Sequence, residues 1–174
     1  MPVKKRIVLI TGGARSGKSR YALEEALRVS GRKAFIATAE ESDDEMRERI
    51  ERHKQDRGEG WETYEEPLKI VDVLGEMGGH YGAIVIDCLT LWLANVMQSS
   101  LDVDAEIERL ILSLVKADLP SVFIVSNEVG MGIVPENELA RRFRDMAGRL
   151  NQRIAGVADE VYVTLSGIPV KIKG

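Results

Sequence analysis

A glycine-rich run after the first apolar stretch constrains the fold of this chain more than any other feature. The run GGARSGKS, residues 12–19, satisfies the pattern G-x-x-x-x-G-K-[ST] in full. It follows the apolar run RIVLIT and opens a segment with helical periodicity, a context that argues against a chance glycine turn. In this context backbone N–H groups and a helix N-terminus form a concave site for phosphates. The run therefore predicts a strand, a phosphate-binding loop and a helix, in that order.

The rest of the chain alternates short β-branched runs with longer helical patterns. The predicted strands cover residues 6–11, 33–39, 82–87, 121–127 and 160–166. The predicted helices cover residues 18–29, 43–56, 67–77, 89–98, 103–117 and 136–157, with Pro67 at a plausible first helical position. Continuous apolar strands are typical of strands buried on both faces. The sequence thus predicts an α/β fold of the P-loop NTPase type, a mostly parallel sheet with helices on both faces. The terminal run SGIPVKIKG fits an added edge strand.

Composition narrows the classes of partner. A chain of 174 residues with 44% apolar content suits one domain, here residues 1–174. The net charge of -4 argues against nucleic acid or an anionic membrane as the main partner, and leaves small anionic ligands open. The single cysteine, Cys88, excludes an intrachain disulfide. No apolar run approaches the roughly 18 residues of a membrane span, so we expect a soluble, cytoplasmic protein.

An acidic residue ends one of the predicted buried strands. The run AIVID closes on Asp87, and an acid at that position beside a phosphate loop is typical of a magnesium–nucleotide site. In such a site the hydroxyl of Ser19 is a second metal ligand and Lys18 reaches the β and γ phosphates. Asp87 is alternatively the N-cap of the helix that follows, and the two roles are compatible. Trp92, in that helix, is expected in the core.

One of the two histidines lies in a charged helical segment, EESDDEMRERIERHKQDRGEGW, residues 40–61. Ser42 and Glu45 have the spacing of a capping box, which predicts a helix start near residue 43. One face of this helix is expected to carry Met46, Ile50, His53 and Arg57. His53 therefore points inward or into a cleft. From these residues alone a packed histidine is the usual interpretation, and a catalytic histidine is the alternative.

Three further features leave their roles open or suggest a structural one. The loop NEVGMGIVPEN, residues 127–137, is either a mobile connection or a binding lid. The arginines of the following helix form either a solvated face or a phosphate clamp; they are Arg141, Arg142 and Arg144. His80 precedes a predicted strand, opposite the expected site, and is interpreted as structural.

Six motifs, in order along nearly the whole chain, resemble the bifunctional adenosylcobinamide kinase / adenosylcobinamide-phosphate guanylyltransferase family of cobalamin synthesis. They are TGGARSGKS, RHKQDRGEGWETYEEP, IDCLTLWLAN, SNEVGMGIVPEN, ARRFRDMAGRLNQR and SGIPVKIK. The first is common to many P-loop proteins, whereas the last four are specific to this family. The chain departs from the family at Gly58, where proline is frequent, which puts the local loop geometry in doubt.

The resemblance implies two reactions. A γ-phosphoryl group passes from ATP or GTP to the hydroxyl of the cobinamide aminopropanol arm, and GMP from GTP then joins that phosphate, giving adenosylcobinamide-GDP and pyrophosphate. It implies that His53 carries the GMP. Lys18 and the Mg²⁺ held by Ser19 and Asp87, both expected from the motifs above, would then be catalytic by stabilising the departing pyrophosphate. The resemblance also implies a homotrimer. The implied nucleotide contacts are Gly12, Gly13, Ala14, Arg15, Ser16, Gly17, Lys18, Ser19, Thr38, Ala39, Glu40, Lys54, Gln55, Asp56, Arg57, Glu65 and Asp87.

Two rival functions remain at this stage. The first is a simple P-loop small-molecule kinase without a covalent intermediate, in which His53 packs or binds phosphate. The second is a nucleotide-dependent switch that recognises a protein partner. GTP labelled on its α-phosphate separates them, because only the guanylyltransferase retains the label after denaturation.

Overall fold

The computed structural model describes residues 5–40, 44–116 and 118–174. Within these ranges, one sheet contains β1 (Ile7–Gly12), β2 (Lys33–Ala37), β3 (Trp61–Glu65), β4 (Ala83–Asp87), β5 (Ser121–Val125), β6 (Glu160–Leu165) and β7 (Ile168–Lys173). The helices are α1 (Lys18–Leu27), α2 (Asp44–Arg57), α3 (Ile70–Met77), α4 (Leu89–Gln98), α5 (Val103–Leu114) and α6 (Glu138–Val157). The alternation of strand and helix predicted from the sequence is confirmed.

The strand order of the sheet brings the carboxyl ends of its central strands to one edge. The order is β3-β2-β4-β5-β1-β6-β7, and every pair except β6–β7 is parallel. Asp87 pairs in register with Ala37 on one side and with Val125 on the other, so three strand ends are level. Ligands of such sheets bind beyond the carboxyl ends. The loops after β1, β2, β4 and β5 meet there.

Both faces of the sheet are covered by helices, as predicted. One face packs against α1, where Val8, Ile10, Val85 and Phe123 contact Ala22 and Ala26. The opposite face packs against residues of α3, α4, α5 and α6, among them Leu74, Trp92, Leu110 and Ile154. Trp92 and Leu93 are fully buried, so their assignment to the core is confirmed. The buried strands are continuous apolar runs because both of their faces are covered.

The structure adds one strand that the sequence did not predict. β3 pairs with β2 at the edge of the sheet, with Thr63 opposite Phe35. Its five residues, WETYE, are exposed or half-buried, so the strand lacks the apolar run by which the buried strands were found. The predicted final edge strand is confirmed as β7, the antiparallel partner of β6.

The predicted start of the third helix at Pro67 is wrong. The helix begins at Ile70, because the carboxylate of Glu66 accepts hydrogen bonds from the N–H groups of Leu68 and Lys69 and forms a turn there. α2 begins at Asp44, close to the prediction, while the predicted capping residue Ser42 lies outside the described residues. In the described part of the chain, none of the helices has the length and apolarity needed to cross a membrane.

Candidate functional site

The predicted phosphate loop, residues 12–17, connects β1 to α1. Gly12 has φ 146° and Gly17 has φ 94°, backbone angles that favour glycine and let the loop curl before the helix. Gly17 is the N-cap of α1, and Lys18 is the first residue of that helix. The Lys18 ammonium is buried and donates a hydrogen bond to the carbonyl of Gly13 at 2.5 Å. The loop thus combines a helix N-terminus with a cation, as an anion site requires.

Asp87, the predicted acidic partner, ends β4 at the same edge of the sheet. It is half-buried, and the peptide bond that follows it is cis. Cys88, with extended backbone, is the N-cap of α4, so the alternative role of Asp87 as that N-cap is wrong. Burial, and after it the charge of Asp87, raises the pKa of the Cys88 thiol. Cys88 is therefore a neutral packing residue.

Thr38 fixes the segment after β2 to the end of β4. Its buried hydroxyl donates to the carbonyl of Cys88 at 2.7 Å and accepts from the N–H of Cys88 at 2.8 Å. Its own N–H donates to the carbonyl of Asp87 at 3.1 Å. The predicted contacts Thr38, Ala39 and Glu40 therefore lie beside the predicted metal ligand.

Asn95 of α4 holds two loops of this edge together. Its side-chain amide donates to the carbonyl of Thr38 at 2.9 Å and to the carbonyl of Pro67 at 3.1 Å. The second loop is also held by Trp92, whose indole N–H donates to the carbonyl of Leu68 at 2.8 Å. Sequence reasoning did not single out Asn95, although it is the last residue of the motif IDCLTLWLAN, because no spacing indicates which carbonyls an asparagine within a helix contacts.

Two cavities lie between α2 and the carboxyl ends of β2 and β3. The larger, of about 470 Å³, is lined by Lys54, Arg57, Gly58, Trp61, Thr63 and Glu65. The smaller, of about 230 Å³, is lined by Ala37, Ala39, Glu40, Ile50, Glu65 and Pro67. Glu65 lines both, and its carboxylate lies 2.5 Å from the ammonium of Lys54. The structure thus brings together most of the contacts predicted on the second motif.

Trp61 and Thr63 line the larger cavity, yet sequence reasoning missed both. The signal was present: residues 61, 63 and 65 alternate along WETYE, and side chains two apart on a strand share a face. The alternation indicates a shared face only once residues 61–65 are known to form a strand. The edge position of β3 leaves this face open beside α2.

Arg57 lines the larger cavity and interacts electrostatically with Asp87 at the end of β4. Its guanidinium lies 3.9 Å from the centre of the Phe35 ring, and its Nη2 lies 3.4 Å from Thr63 Oγ1. Burial lowers the pKa of Arg57, and the charges of Asp87 and Glu65 act in the opposite direction. The cation therefore acts electrostatically between these two acids.

Gly58, where the chain departs from the family pattern, ends α2 with φ 70°. Proline cannot adopt this angle, because its ring fixes φ near -65°. The backbone between α2 and β3 therefore adopts a conformation in this chain that a proline at residue 58 could not adopt.

His53 belongs to α2, directly before Lys54. The side chains of His53, Asp56 and Met46 lie outside the part that the structure describes, so the inward orientation of His53 stays a prediction. Gln55 is exposed on the same helix. His80 is exposed before the amino-terminal end of β4, away from the site, as expected.

The loop of residues 127–137 lies against the phosphate loop. The N–H of Glu128 donates to the carbonyl of Gly12 at 2.9 Å, and the side-chain amide of Asn127 donates to Thr90 Oγ1 at 2.7 Å. Between its ends the loop exposes apolar side chains, including Met131 at 87% and Ile133 at 98%. The loop thus presents an exposed apolar surface beside the predicted phosphate loop.

Arg141 anchors the far end of this loop. Its Nη1 donates to the carbonyls of Pro135 at 2.9 Å and Glu136 at 2.5 Å. Arg144 pairs with its neighbour Asp145 at 3.0 Å, and Arg142 is exposed. The structure gives Arg141 a role in holding the loop, which neither predicted alternative included.

A phosphate loop between the first strand and first helix, with an acid at the end of a neighbouring parallel strand, defines a P-loop nucleotide-binding protein. The chain belongs to the CobU family, cobinamide kinase / cobinamide phosphate guanyltransferase, whose model matches residues 8–172. The bifunctional adenosylcobalamin biosynthesis protein CobU of Escherichia coli K12 is 40% identical over 96% of this chain and 99% of its own length. The bifunctional adenosylcobalamin biosynthesis protein CobP of Pseudomonas aeruginosa is 42% identical over 95% of this chain and 96% of its own length.

The fold also resembles solved structures of distant sequence. An ATPase from the type III secretion system of pathogenic bacteria superposes with a TM-score of 0.54 at 12% identity. The match covers 95% of this chain and 56% of that protein, so this chain spans little more than half of its length. The likeness supports the P-loop fold alone.

Proposed function

We infer that this chain phosphorylates adenosylcobinamide with ATP or GTP and then transfers GMP from GTP to the new phosphate through His53. The products of the second step are adenosylcobinamide-GDP and pyrophosphate. The observation that carries the proposal is the position of α2. This helix, which contains His53, supplies Lys54 and Arg57 to a cavity at the sheet edge where Asp87 ends β4. Both relatives above are described as bifunctional proteins.

The kinase step requires that the γ-phosphate be held and its charge offset. The N–H groups at the start of α1 bind phosphate oxygens, and Lys18 exchanges its bond to the Gly13 carbonyl for bonds to the phosphates. The hydroxyl oxygen of the cobinamide arm attacks the γ-phosphorus as the bond from that phosphorus to the bridging oxygen breaks. The nucleoside diphosphate leaves with that oxygen, and the hydroxyl proton passes to solvent. Positioning and charge account for most of the rate in such transfers.

The residues present fit a magnesium ion that the nucleotide shares. Among the described residues no group of three or more histidine, cysteine or acidic side chains is placed to hold a metal without help. Mg²⁺ commonly takes only one or two protein oxygens and completes its shell with water and phosphate. The hydroxyl of Ser19 and the carboxylate of Asp87 would hold it, and the ion would offset phosphate charge.

The guanylyl step uses an imidazole nucleophile. An imidazole in water has a pKa of about 6.5, so near pH 7 this kind of side chain is available in its neutral, nucleophilic form. The lone pair of the His53 imidazole forms a bond to the α-phosphorus of GTP as the bond to pyrophosphate breaks. A phosphate oxygen of cobinamide phosphate then attacks the same phosphorus, and the P–N electron pair returns to the imidazole. The imidazole is the nucleophile in the first step and the leaving group in the second. Two easier steps thus replace the direct attack of one phosphate anion on another.

Cobinamide reaches the site where the loop of residues 127–137 and α2 approach the strand ends. The exposed side chains of Met131 and Ile133 support this, because the corrin macrocycle has a large apolar surface. Gly130 and Gly132 give that segment backbone freedom to close over the substrate. By the family resemblance we further propose a cytoplasmic homotrimer, which light scattering tests as three times the 19.3 kDa mass of the chain.

The experiment that tests the proposal follows the α-phosphate of GTP. The protein is incubated with α-labelled GTP and Mg²⁺, denatured, and counted. Wild type retains label that acid releases, base leaves in place, and pyrophosphate removes before denaturation, as for a phosphoramidate. His53→Ala loses the label and keeps part of the kinase activity, whereas His80→Ala, the matched histidine variant, keeps both. Label mapped to any other residue, or full labelling of His53→Ala, rejects the covalent role.

A further inference from the structure

The turn between β6 and β7 lies directly against the phosphate loop. We call residues 164–167 the bracing turn. Thr164, at the end of β6 and 1% exposed, places its hydroxyl 2.6 Å from the hydroxyl of Ser16 and 3.1 Å from the carbonyl of Thr11. The N–H of Gly167 donates to the carbonyl of Ser16 at 3.0 Å. Side chain and backbone of the turn thus hold the same loop residue.

The direction of these hydrogen bonds follows from donor counts. A carbonyl oxygen only accepts, so the single hydroxyl proton of Thr164 goes to Thr11. The bond between the two hydroxyls must then use the proton of Ser16, with Thr164 as acceptor. Both protons are committed inside the protein, and Ser16 is itself only 8% exposed. The hydroxyl of Ser16 therefore shapes the loop rather than donating to a phosphate.

The glycines of the loop show how closely the bracing turn approaches. A Cβ at Gly12 would lie 2.5 Å from both the carbonyl oxygen and the hydroxyl of Thr164. A Cβ at Gly17 would lie 3.2 Å from the Cα of Gly167. A Cβ at Gly12 would therefore displace the end of β6, whereas one at Gly17 would require the backbone of Gly167 to shift by a few tenths of an ångström. The turn thus requires the first glycine of the loop and favours the last, in addition to the curl of the loop.

A further bond connects the turn to the helix that the loop opens. The guanidinium of Arg20, in the first turn of α1, donates to the carbonyl of Gly167 at 3.1 Å. The bracing turn therefore contacts the beginning, the middle and the end of the phosphate loop.

We propose that Thr164 and the bracing turn are positioning residues that set the curvature of the phosphate loop before nucleotide binds. The proposal rests on the assignment of residues 12–19 as the nucleotide site. Loss of the Thr164 hydroxyl weakens the binding of both ATP and GTP, because loop N–H groups no longer start in the binding arrangement. The chemistry after binding is affected less, since Thr164 contacts no phosphate.

The test measures nucleotide affinity directly, by calorimetric titration of GTP and of ATP, together with KM and kcat for the kinase step. Thr164→Val keeps the shape of the side chain and removes its hydroxyl. It is expected to raise Kd and KM about tenfold, equivalent to about 1.4 kcal/mol, with kcat within about threefold of wild type. Thr164→Ser keeps the hydroxyl and is expected to restore Kd to within about twofold.

A double variant separates positioning from stability. Thr164→Val leaves the Ser16 hydroxyl without its acceptor, which destabilises the protein. Ser16→Ala with Thr164→Val removes both hydroxyls of the pair and is expected to recover part of the lost urea midpoint, because only the Thr11 carbonyl is then without its donor, yet not the nucleotide affinity. Recovery of both would mean that Thr164 acts only through stability. This variant also keeps the test decisive if Thr164→Val alone fails to fold.

Ser121→Ala is the matched control, because it removes a buried hydroxyl at the opposite end of the sheet. Its Kd is expected to equal that of wild type. A folded Thr164→Val protein that binds both nucleotides like wild type, or one that loses kcat with KM unchanged, overturns the inference. Titration needs no cobinamide, so failure of the inference is distinct from failure of the proposed function: the first appears as an unchanged Kd in Thr164→Val, the second as wild type that retains no label from α-labelled GTP.

Discussion

Replacing Glu160 with glutamine should remove a pH-dependent part of the stability of the fold. Its carboxylate accepts from Arg6 at 2.8 Å and from the hydroxyl of Tyr162 at 2.7 Å, and it lies 3.1 Å from the ammonium of Lys171. Burial alone would raise the pKa of Glu160, but the hydrogen bonds from these three groups lower it to about 2, from an ordinary 4.5. The carboxylate thus connects the start of β1 to β6 and β7.

The size of the effect follows from that pKa. The difference between 4.5 and about 2 corresponds to at most about 3.4 kcal/mol, at 1.36 kcal/mol per pKa unit. The side chains of Arg6 and Glu160 are 26% and 16% exposed, so solvent screening reduces this to about 1–3 kcal/mol. Because the folded pKa is the lower one, the contribution is complete above about pH 4.5. It is lost as the pH falls from there toward 2.

Urea unfolding of wild type and Glu160→Gln at pH 7, 5, 4 and 3 measures this. The difference in the free energy of unfolding should be about 1–3 kcal/mol at pH 7 and 5 and should shrink at pH 4 and 3. Glu108→Gln, which breaks the exposed pair with Arg153, is the control and should change it by less than about 0.5 kcal/mol. A Glu160→Gln difference that stays constant down to pH 3, or is absent at pH 7, would refute the reasoning.

Three further predictions concern the site. Lys18→Ala should lower the kinase and guanylyltransferase activities by orders of magnitude, and Asp87→Ala should weaken both activities and their dependence on Mg²⁺. Guanylyl transfer near the wild-type rate in a folded Lys18→Ala protein would contradict a phosphate loop shared by the two reactions. Hydrogen exchange of residues 127–135 at saturating nucleotide should slow when cobinamide is added, and unchanged exchange would count against a lid. Asn95→Leu should lower the free energy of unfolding by about 1–3 kcal/mol, measured in urea, because two carbonyls lose their donor; no change in stability would show that water replaces the amide.

The buried strands could be located from the sequence because burial on both faces leaves a continuous apolar run. β4 and β5 begin within one residue of their predicted starts for that reason. β3 escaped prediction because an edge strand needs few apolar residues. The helix start was misplaced at Pro67 because proline is generally favoured at the first helical position. Here the carboxylate of Glu66 accepts from the N–H groups of Leu68 and Lys69 and holds these residues in a turn before the helix.

The site shows the same division between local and long-range information. The phosphate loop and Asp87 could be placed together, because the loop follows one parallel strand, Asp87 ends another, and parallel strands end at one edge. Thr38 was named by the motif resemblance alone. The ion pair of Lys54 with Glu65 depends on how α2 lies over β3, which no periodicity gives. Motif resemblance named both residues, but only the structure shows that they contact each other.

The bond between Ser16 and Thr164 joins residues 148 positions apart, and this separation sets an order of events during synthesis. Chains lengthen at about 5–20 residues per second, so a ribosome needs about 7–30 s to travel from one residue to the other. During that time β1 and α1 exist without the hairpin that encloses their connecting loop. If the bracing turn sets the loop, a nascent chain acquires its nucleotide affinity late, when β6 enters the sheet beside β1. A ribosome-bound chain stalled before Thr164 should therefore bind GTP poorly, even when its whole phosphate loop has left the ribosome.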